Sequence, residues 1–325
     1  MKRATSARTG ENPRAQPMAY RSWPVLVPVI SIFALLLGCQ SARPASAPPA
    51  ANRTVITDGV VAVGGTSLHI HCVGEGTPIV VLDSGLGNDG GVWRDVLPGI
   101  RELTRACVYD RAGMGYSAAP NSKPHTNRQM ARELYALLAK AQLDGPYVLV
   151  GHSMGGMNVR LFASEHLDEV AGMVLVDAVT ADQPSRYWAL MPQAALVEFR
   201  DQLRKLPEGL DYETLVSGLD DMRRSSQSIG DKPLVVLTRG KEESPPGTPT
   251  EQVTSMLRNW HEMQSQLSHL STNSVQVVAA NSNHCIQWDA PRLVSASIRE
   301  VVLASRTHAR VNSVNLTPLD HEGDP

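Results

Sequence analysis

The sequence predicts an α/β fold in which a mostly parallel, eight-stranded sheet is flanked by helices and interrupted by an inserted helical cap. Short β-branched runs alternate with longer helical patterns from residue 56 to 305, as in parallel sheets whose strands are joined by helices. A content of 42% hydrophobic and 19% charged residues is that of a globular chain with a sizeable core. The formal net charge of −2 gives no overall basic field for phosphates, so we expect no nucleic-acid partner.

The chain begins with a basic segment followed by an apolar run at residues 23–37. The run has 15 residues and contains two prolines, whereas a transmembrane helix needs roughly 20. It ends in Leu-Leu-Gly-Cys39, which resembles the lipobox of bacterial lipoproteins. The resemblance implies cleavage before Cys39 and lipidation of its thiol. We therefore predict a lipoprotein-type signal peptide at residues 1–39, with an ordinary signal peptide or an uncleaved anchor as the alternatives and either Met1 or Met18 as the start.

Residues 40–55 are rich in Ala, Pro and Ser and predict a flexible tether. Several acyl chains on Cys39 would hold the protein at a membrane surface without spanning it. Gln40, where some lipoproteins carry Asp, favours the outer membrane under the same resemblance. We expect an exported protein, lipid-anchored at the cell envelope on the outer membrane or the periplasmic face.

The domain at residues 56–305 contains eight predicted strands and the helices between them. The predicted strands are 60–63, 68–73, 79–82, 106–109, 147–150, 173–176, 234–237 and 275–279. The predicted helices are 92–103, 126–141, 157–165, 251–270 and 291–304. Residues 178–232 carry helical patterns without a clear strand, which predicts the cap. Residues 306–325 show no periodicity and predict a disordered tail.

The strongest chemical signal is the sequence Gly151-His152-Ser153-Met154-Gly155, directly after an apolar strand and before a helical pattern. A strand, a sharp turn and a helix in this order expose a nucleophilic serine at the edge of a sheet. The amino terminus of the helix also directs free amides towards an oxyanion. Ser153 is therefore the predicted nucleophile, and a helix N-cap is the structural alternative.

A nucleophilic serine needs a base and an acid that orients the base. His284 follows the last predicted strand and is the favoured base, since His152, His261, His269, His308 and His321 are less well placed. Asp177 ends the strand after that of Ser153, where parallel sheets present site residues, and is the favoured acid. Glu242 and Glu243, which follow the next strand, are the alternatives.

The oxyanion hole needs two amides, and Met154 provides one of them. A glycine-rich turn, Asp83-Ser-Gly-Leu86-Gly87, follows the third predicted strand, and the amide of Leu86 is the natural second donor. This turn is not a dinucleotide fingerprint, because no G-x-G-x-x-G opens a helix there. His69 and His71 alternate on one strand, but they have no third ligand nearby and we expect no metal.

These motifs, with the loop Tyr109-Asp-Arg111-Ala-Gly-Met-Gly-Tyr-Ser117, resemble those of the α/β-hydrolase fold family. The resemblance covers residues 56 to 305 and implies a serine hydrolase that acts on esters, thioesters, amides or lactones without a cofactor. Family members carry their acid after either of two strands, so the choice between Asp177 and the glutamates stays open. The usual strand order of the family would bring Cys72 beside Cys107, which implies a disulfide.

The favoured function is a lipid-anchored carboxylesterase with a small-molecule acyl substrate and a Ser153-His284-Asp177 triad. An amidase, aminopeptidase or other acyl-transfer enzyme on the same triad is the second hypothesis. A haloalkane dehalogenase is disfavoured, since its nucleophile is a carboxylate. A lipid-anchored binding protein that keeps the fold without turnover is the hypothesis from a different class. The sequence does not indicate an oligomeric state.

Overall fold

The computed structural model describes residues 55–225, 228–244 and 248–316. The predicted signal peptide with Cys39, nearly all of the predicted tether and residues 317–325 lie outside the described residues. Within the described part of the chain, no helix is long and apolar enough to cross a membrane.

The described residues form one eight-stranded sheet. The strands are β1 (Val55–Val63), β2 (Thr66–Val73), β3 (Ile79–Asp83), β4 (Ala106–Tyr109), β5 (Tyr147–His152), β6 (Val170–Val176), β7 (Leu234–Arg239) and β8 (Ser274–Ala279). Their order across the sheet is β1-β2-β4-β3-β5-β6-β7-β8. β2 pairs antiparallel with β1 and β4, and all other neighbours are parallel. Each of the eight predicted strands is present, and the mostly parallel sheet is confirmed.

Helices cover both faces of the sheet. They are α1 (Asn127–Lys140), α2 (Met154–Glu165), α3 (Gln183–Arg186), α4 (Gln193–Leu203), α5 (Tyr212–Ser225), α6 (Thr250–Ser268), α7 (Ile286–Asp289) and α8 (Pro291–Thr307). Side chains alternate between two cores, because successive residues of a strand point to opposite faces. In β5, Leu149 belongs to the core beneath α1, α2 and α6, whereas Val148 and Val150 belong to the core beneath α8.

The segment between β6 and β7, where the sequence predicts the cap, is helical. It contains α3, α4 and α5 and a short 3-10 turn at Trp188–Leu190. Trp188, Phe199 and Tyr212 pack against one another with ring centroids 5.5 to 6.2 Å apart. Packing therefore accounts for much of the apolar surface of the cap.

Two sequence predictions differ from the structure. Residues 92–103 do not form one α-helix; they contain 3-10 turns at Gly90–Trp93 and Leu97–Gly99. Pro98 and Gly99 are the poorest helix formers, which explains the interruption. The predicted disordered tail was wrong for residues 306–316, because Thr307 ends α8 and Leu316 is buried. The segment is held by Asn273, whose side chain bonds the backbones of Ala309 and Val311.

The neighbouring strands β2 and β4 are covalently joined. Cys72 on β2 lies opposite Cys107 on β4 in the antiparallel register. A disulfide connects the two residues, which are 35 positions apart in sequence. This is the pairing that the family resemblance implied.

Candidate active site

Ser153 occupies a strained turn between β5 and α2. Its φ is +51° and its ψ −118°, a conformation that non-glycine residues seldom adopt. Backbone hydrogen bonds hold the turn, since Ser153 N donates to Val176 O (3.1 Å) and Ser153 O accepts from the amides of Gly156 and Val179 (3.0 Å each). The side chain is almost completely buried.

The glycines around Ser153 are required by close approaches. A Cβ at Gly155 would lie 2.3 Å from the carbonyl oxygen of Asp83, and one at Gly151 would lie 2.6 Å from the Gly155 carbonyl oxygen. Any larger residue would push α2 away from the sheet. The G-x-S-x-G spacing is therefore a packing requirement of this turn.

Asp177 and His284 meet at the carboxyl edge of the sheet. His284 Nδ1 lies 2.6 Å from Asp177 Oδ2, and both side chains are buried. With Nδ1 donating to the carboxylate, Nε2 is left as the proton acceptor of the ring. This arrangement suits a histidine that serves as a general base.

The carboxylate of Asp177 accepts three further hydrogen bonds. Oδ2 also accepts from Arg239 Nη1 (2.8 Å), and Oδ1 accepts from Arg239 N (3.0 Å) and Trp260 Nε1 (2.6 Å). Burial alone would raise the pKa of Asp177, but the charge of Arg239 and the bond from His284 hold this pKa below its ordinary value. Asp177 is therefore ionised and fixed in orientation.

The two glutamates that the sequence left as alternatives have other surroundings. Glu242 accepts hydrogen bonds from Arg239 Nη2 (2.7 Å) and Tyr187 Oη (2.6 Å). Glu243 is partly buried, and this burial raises its pKa. Arg239 thus links Asp177 to Glu242, and the ring of His284 is bonded to Asp177.

The two predicted oxyanion donors lie in segments that follow neighbouring strands at the same end of the sheet. Asp83 at the end of β3 is paired with Gly151 of β5, so the loops after these strands leave the sheet as neighbours. Leu86 lies in the first loop, Met154 is the first residue of α2, and both are buried.

His152 braces the backbone of His284. Its Nε2 lies 3.1 Å from the carbonyl oxygen of His284, and its Nδ1 lies 3.2 Å from Gln287 Nε2. Burial, with a smaller contribution from His284, lowers the pKa of His152 to about 3. The ring is therefore neutral, which lets Nε2 donate to the carbonyl while Nδ1 accepts from the amide.

The remaining histidine pair lies on β2, away from these residues. His69 contacts Asp110 (3.1 Å) and Asp58 (3.0 Å), and His71 lies 3.6 Å from Asp58. Across the residues that the structure describes, no group of three or more His, Cys, Asp or Glu side chains could hold a metal ion.

A family model described as the alpha/beta hydrolase fold matches residues 78–303. The chain belongs to the alpha/beta hydrolase fold family. It is 28% identical to the uncharacterized protein YqjL of Bacillus subtilis (strain 168) over 244 residues, which is 75% of this chain and 91% of that protein. Three further curated relatives are longer, and the matches span 16 to 39% of their length.

Solved structures with the same fold include enzymes of different reactions. A thermophilic esterase from Thermogutta terrifontis has a TM-score of 0.52 and 22% identity, covering 78% of this chain and 99% of its own. A loop variant of the haloalkane dehalogenase DbeA from Bradyrhizobium elkanii has a TM-score of 0.58 and 12% identity, covering 79% and 98%. At these identities the likeness shows the fold alone.

Several residues around this alpha/beta hydrolase site were not found by sequence reasoning. Arg239 ends β7 at the carboxyl edge, and that position was a usable signal. Trp260 and Glu208 come from α6 and the cap, and no local pattern identifies them. Arg111 belongs to the Tyr109–Ser117 loop, but no sequence pattern there indicates its contacts.

Proposed function

We propose that the chain is a serine hydrolase that cleaves carboxylic esters or related acyl substrates through an acyl-enzyme. The observation that carries the proposal is the 2.6 Å hydrogen bond between His284 and the buried, ionised Asp177. It lies at the sheet edge where Ser153 occupies its strained turn. Membership of the hydrolase family supports the same reaction class.

In the proposed reaction, Ser153 Oγ attacks the carbonyl carbon of the substrate while His284 Nε2 takes the hydroxyl proton. The carbonyl oxygen becomes an oxyanion and accepts hydrogen bonds from the amides of Leu86 and Met154. Collapse of this intermediate breaks the ester bond, and His284 returns the proton to the departing alcohol. Water then attacks the acyl-enzyme by the same route and releases the acid. No step requires a cofactor.

We also propose that the enzyme is exported and lipid-anchored through Cys39 at the cell envelope. The lipobox-like sequence and the Ala/Pro/Ser-rich stretch before residue 56 support this location.

The test is hydrolysis of p-nitrophenyl esters with acyl chains from two to sixteen carbons by the full chain in a mild detergent. We expect activity that falls by a factor on the order of 10⁴ or more in Ser153→Ala, and a chain-length optimum that sizes the acyl pocket. A fluorophosphonate should label the wild type at Ser153 and should not label the variant.

Three outcomes would change the proposal. Activity on p-nitroanilides with none on esters would replace the esterase with an amidase. Equal activity in Ser153→Ala would show that Ser153 is not the nucleophile and overturn the serine hydrolase. No activity and no labelling of the wild type would overturn it and favour the binding protein.

A further inference from the structure

Arg111 is a buried arginine directed at the backbone of the loop that carries Leu86. It lies just after β4 and is 2% exposed. Its Nη1 donates to the carbonyl oxygen of Ser84 (2.6 Å), and its Nη2 donates to that of Gly85 (2.5 Å). Nη1 also forms an ion pair with Asp83 at 2.6 Å. A buried guanidinium thus spans three consecutive residues before Leu86.

The bond to Gly85 fixes the direction of the Leu86 amide. The carbonyl of Gly85 and the N–H of Leu86 belong to one planar peptide unit, and in a trans peptide the two groups point in opposite directions. Holding the carbonyl oxygen on Arg111 therefore directs the N–H away from Arg111. A cation on the carbonyl also polarises the peptide, which makes its N–H a stronger donor.

Glu208 of the cap holds the next peptide unit. It lies between α4 and α5 and is fully buried. Its Oε2 accepts from Gly87 N (2.8 Å), while its Oε1 accepts from Arg111 Nε (2.8 Å). The peptide planes on both sides of Leu86 are therefore held by two side chains that are bonded to each other.

The cap segment around Glu208 is itself fixed to the body. His125 Nδ1 lies 3.2 Å from the Glu208 carbonyl oxygen, and His125 N donates to Gly209 O (3.0 Å). A Cβ at Gly113 would lie 2.4 Å from the carbonyl oxygen of Pro207, so the two loops touch directly. Burial opposes the charge, but Glu208 and Asp83 hold the pKa of Arg111 above its ordinary value, so this residue stays a cation.

We propose that Arg111 and Glu208 are positioning residues that set the direction and donor strength of the Leu86 amide and connect the oxyanion hole to the cap. This inference rests on the proposed serine hydrolase. It also assigns a role to the arginine of the Tyr109–Ser117 loop. The Leu86 amide stabilises the oxyanion, which exists only after Ser153 has attacked. Disturbing its direction should therefore lower kcat more than it changes KM.

The experiment compares Arg111→Lys, Arg111→Met and Glu208→Gln with Tyr109→Phe in the full chain on the best p-nitrophenyl ester. Tyr109 Oη donates to the second oxygen of Asp83 at 2.7 Å, so its removal disturbs the same buried cluster without touching the peptides beside Leu86. We expect kcat to fall about tenfold or more in Glu208→Gln and up to about 10²-fold in Arg111→Met. The kcat of Arg111→Lys should lie between those of the wild type and Arg111→Met. KM should stay within about threefold, and kcat of Tyr109→Phe within about twofold.

A transition-state probe separates this role from a structural one. Ser153 adds to the carbonyl carbon of an alkyl trifluoromethyl ketone. The ketone oxygen then takes the negative charge, and His284 takes the proton of the Ser153 hydroxyl. The corresponding methyl ketone binds mainly without reacting. The affinity for the first should fall by the same factor as kcat, and the affinity for the second should stay unchanged. Circular dichroism and thermal unfolding establish that each variant is folded, and Glu208→Gln carries the test if Arg111→Met does not fold.

Unchanged kcat in folded Arg111 and Glu208 variants would overturn this inference alone, because the wild type would still show activity that depends on Ser153. An equal loss of kcat in Tyr109→Phe would assign the effect to general loosening of the cluster and overturn it too. A wild type without Ser153-dependent activity would overturn the proposed function and this inference together.

Discussion

At the scale of single residues, the carboxylate of Asp177 accepts four hydrogen bonds. Four donors from His284, Arg239 and Trp260 surround its two oxygens. An amide at this position cannot accept all four, and its N–H₂ would face either His284 or Arg239. Asn at position 177 would therefore turn His284 to the wrong tautomer or release it.

This crowding predicts the outcome of exchanging the candidate acids. Asp177→Asn should lower kcat/KM by roughly 10³ to 10⁴, while Glu242→Gln should lower it by less than about tenfold, because Arg239 keeps its bonds to Asp177. Steady-state kinetics on one ester checks both, with Glu243→Gln as the matched third variant. If a glutamate variant showed the largest loss of kcat/KM, the acid of the triad would follow β7, and Asp177 would be a structural partner of Arg239.

His152 predicts a pH dependence of stability. The unfolded histidine takes up a proton below its ordinary pKa of about 6.5, whereas the folded one stays neutral down to about pH 3. The unfolded state therefore binds more protons in this window, and the free energy of unfolding falls as the pH drops through it, by at most about 1.4 kcal/mol per pH unit.

Urea unfolding of the wild type and His152→Gln at pH 6.5, 5.5 and 4.5 tests this dependence. The stability difference between the two proteins should shift in favour of the variant by about 1 kcal/mol for each unit below pH 6. A difference that stays constant across the three pH values would show that His152 is protonated in the folded protein.

What the sequence could predict at this scale follows from chain geometry. Ser153, Asp177 and His284 were predicted because each lies at or within five residues of the carboxyl end of a strand, and parallel strands bring these ends together. Glu208 and Trp260 reach the site through tertiary packing of the cap and α6. Nothing in their neighbouring residues specifies that contact.

At the scale of elements, strands were more predictable than the segments between them. A buried strand such as β5 is a continuous apolar run that stands out from its neighbours. The turns at residues 90–99 gave the apolar spacing of a helix, but the backbone there is set by Pro98 and by contacts with the sheet. The segment after α8 is too short for a periodic pattern, so its binding to Asn273 could not be predicted.

The disulfide between β2 and β4 predicts a measurable contribution to stability. It closes a loop of 35 residues. In the chain-entropy account, a cross-link of that size lowers the entropy of the unfolded chain and raises its free energy by about 4 kcal/mol. The variant Cys72→Val/Cys107→Val, which keeps the buried volume, should lower the free energy of unfolding by 2 to 4 kcal/mol, on the order of native disulfides. Denaturant unfolding measures this, and a loss below about 1 kcal/mol would contradict the entropic explanation.

At the scale of the whole molecule, the described chain starts at the sheet edge opposite the candidate site. β1 is antiparallel to β2, which is antiparallel to β4, so β1 runs in the direction of the parallel strands. Val55 thus lies at the amino ends of the parallel strands, and Ser153 lies at their carboxyl ends. At 3.3 Å per strand residue, the two residues are about 20 to 30 Å apart along the strand direction. The chain that precedes Val55 therefore joins the domain at the end of the sheet away from the candidate site.

That arrangement predicts that anchoring and catalysis are separable. Cys39→Ser should move the protein from the membrane fraction to the soluble fraction and abolish labelling with radioactive palmitate, because it removes the thiol proposed to carry the lipid. The Ser153-dependent rate per molecule on a water-soluble ester should stay within about twofold, since the chain joins the domain at Val55, at the opposite end of the sheet from Ser153. Gln40→Asp is the matched control, which should keep the label and the membrane attachment but shift the protein from the outer to the inner membrane. A Cys39→Ser variant that stays in the membrane at the wild-type level would show that the apolar run at residues 23–37 is an uncleaved anchor.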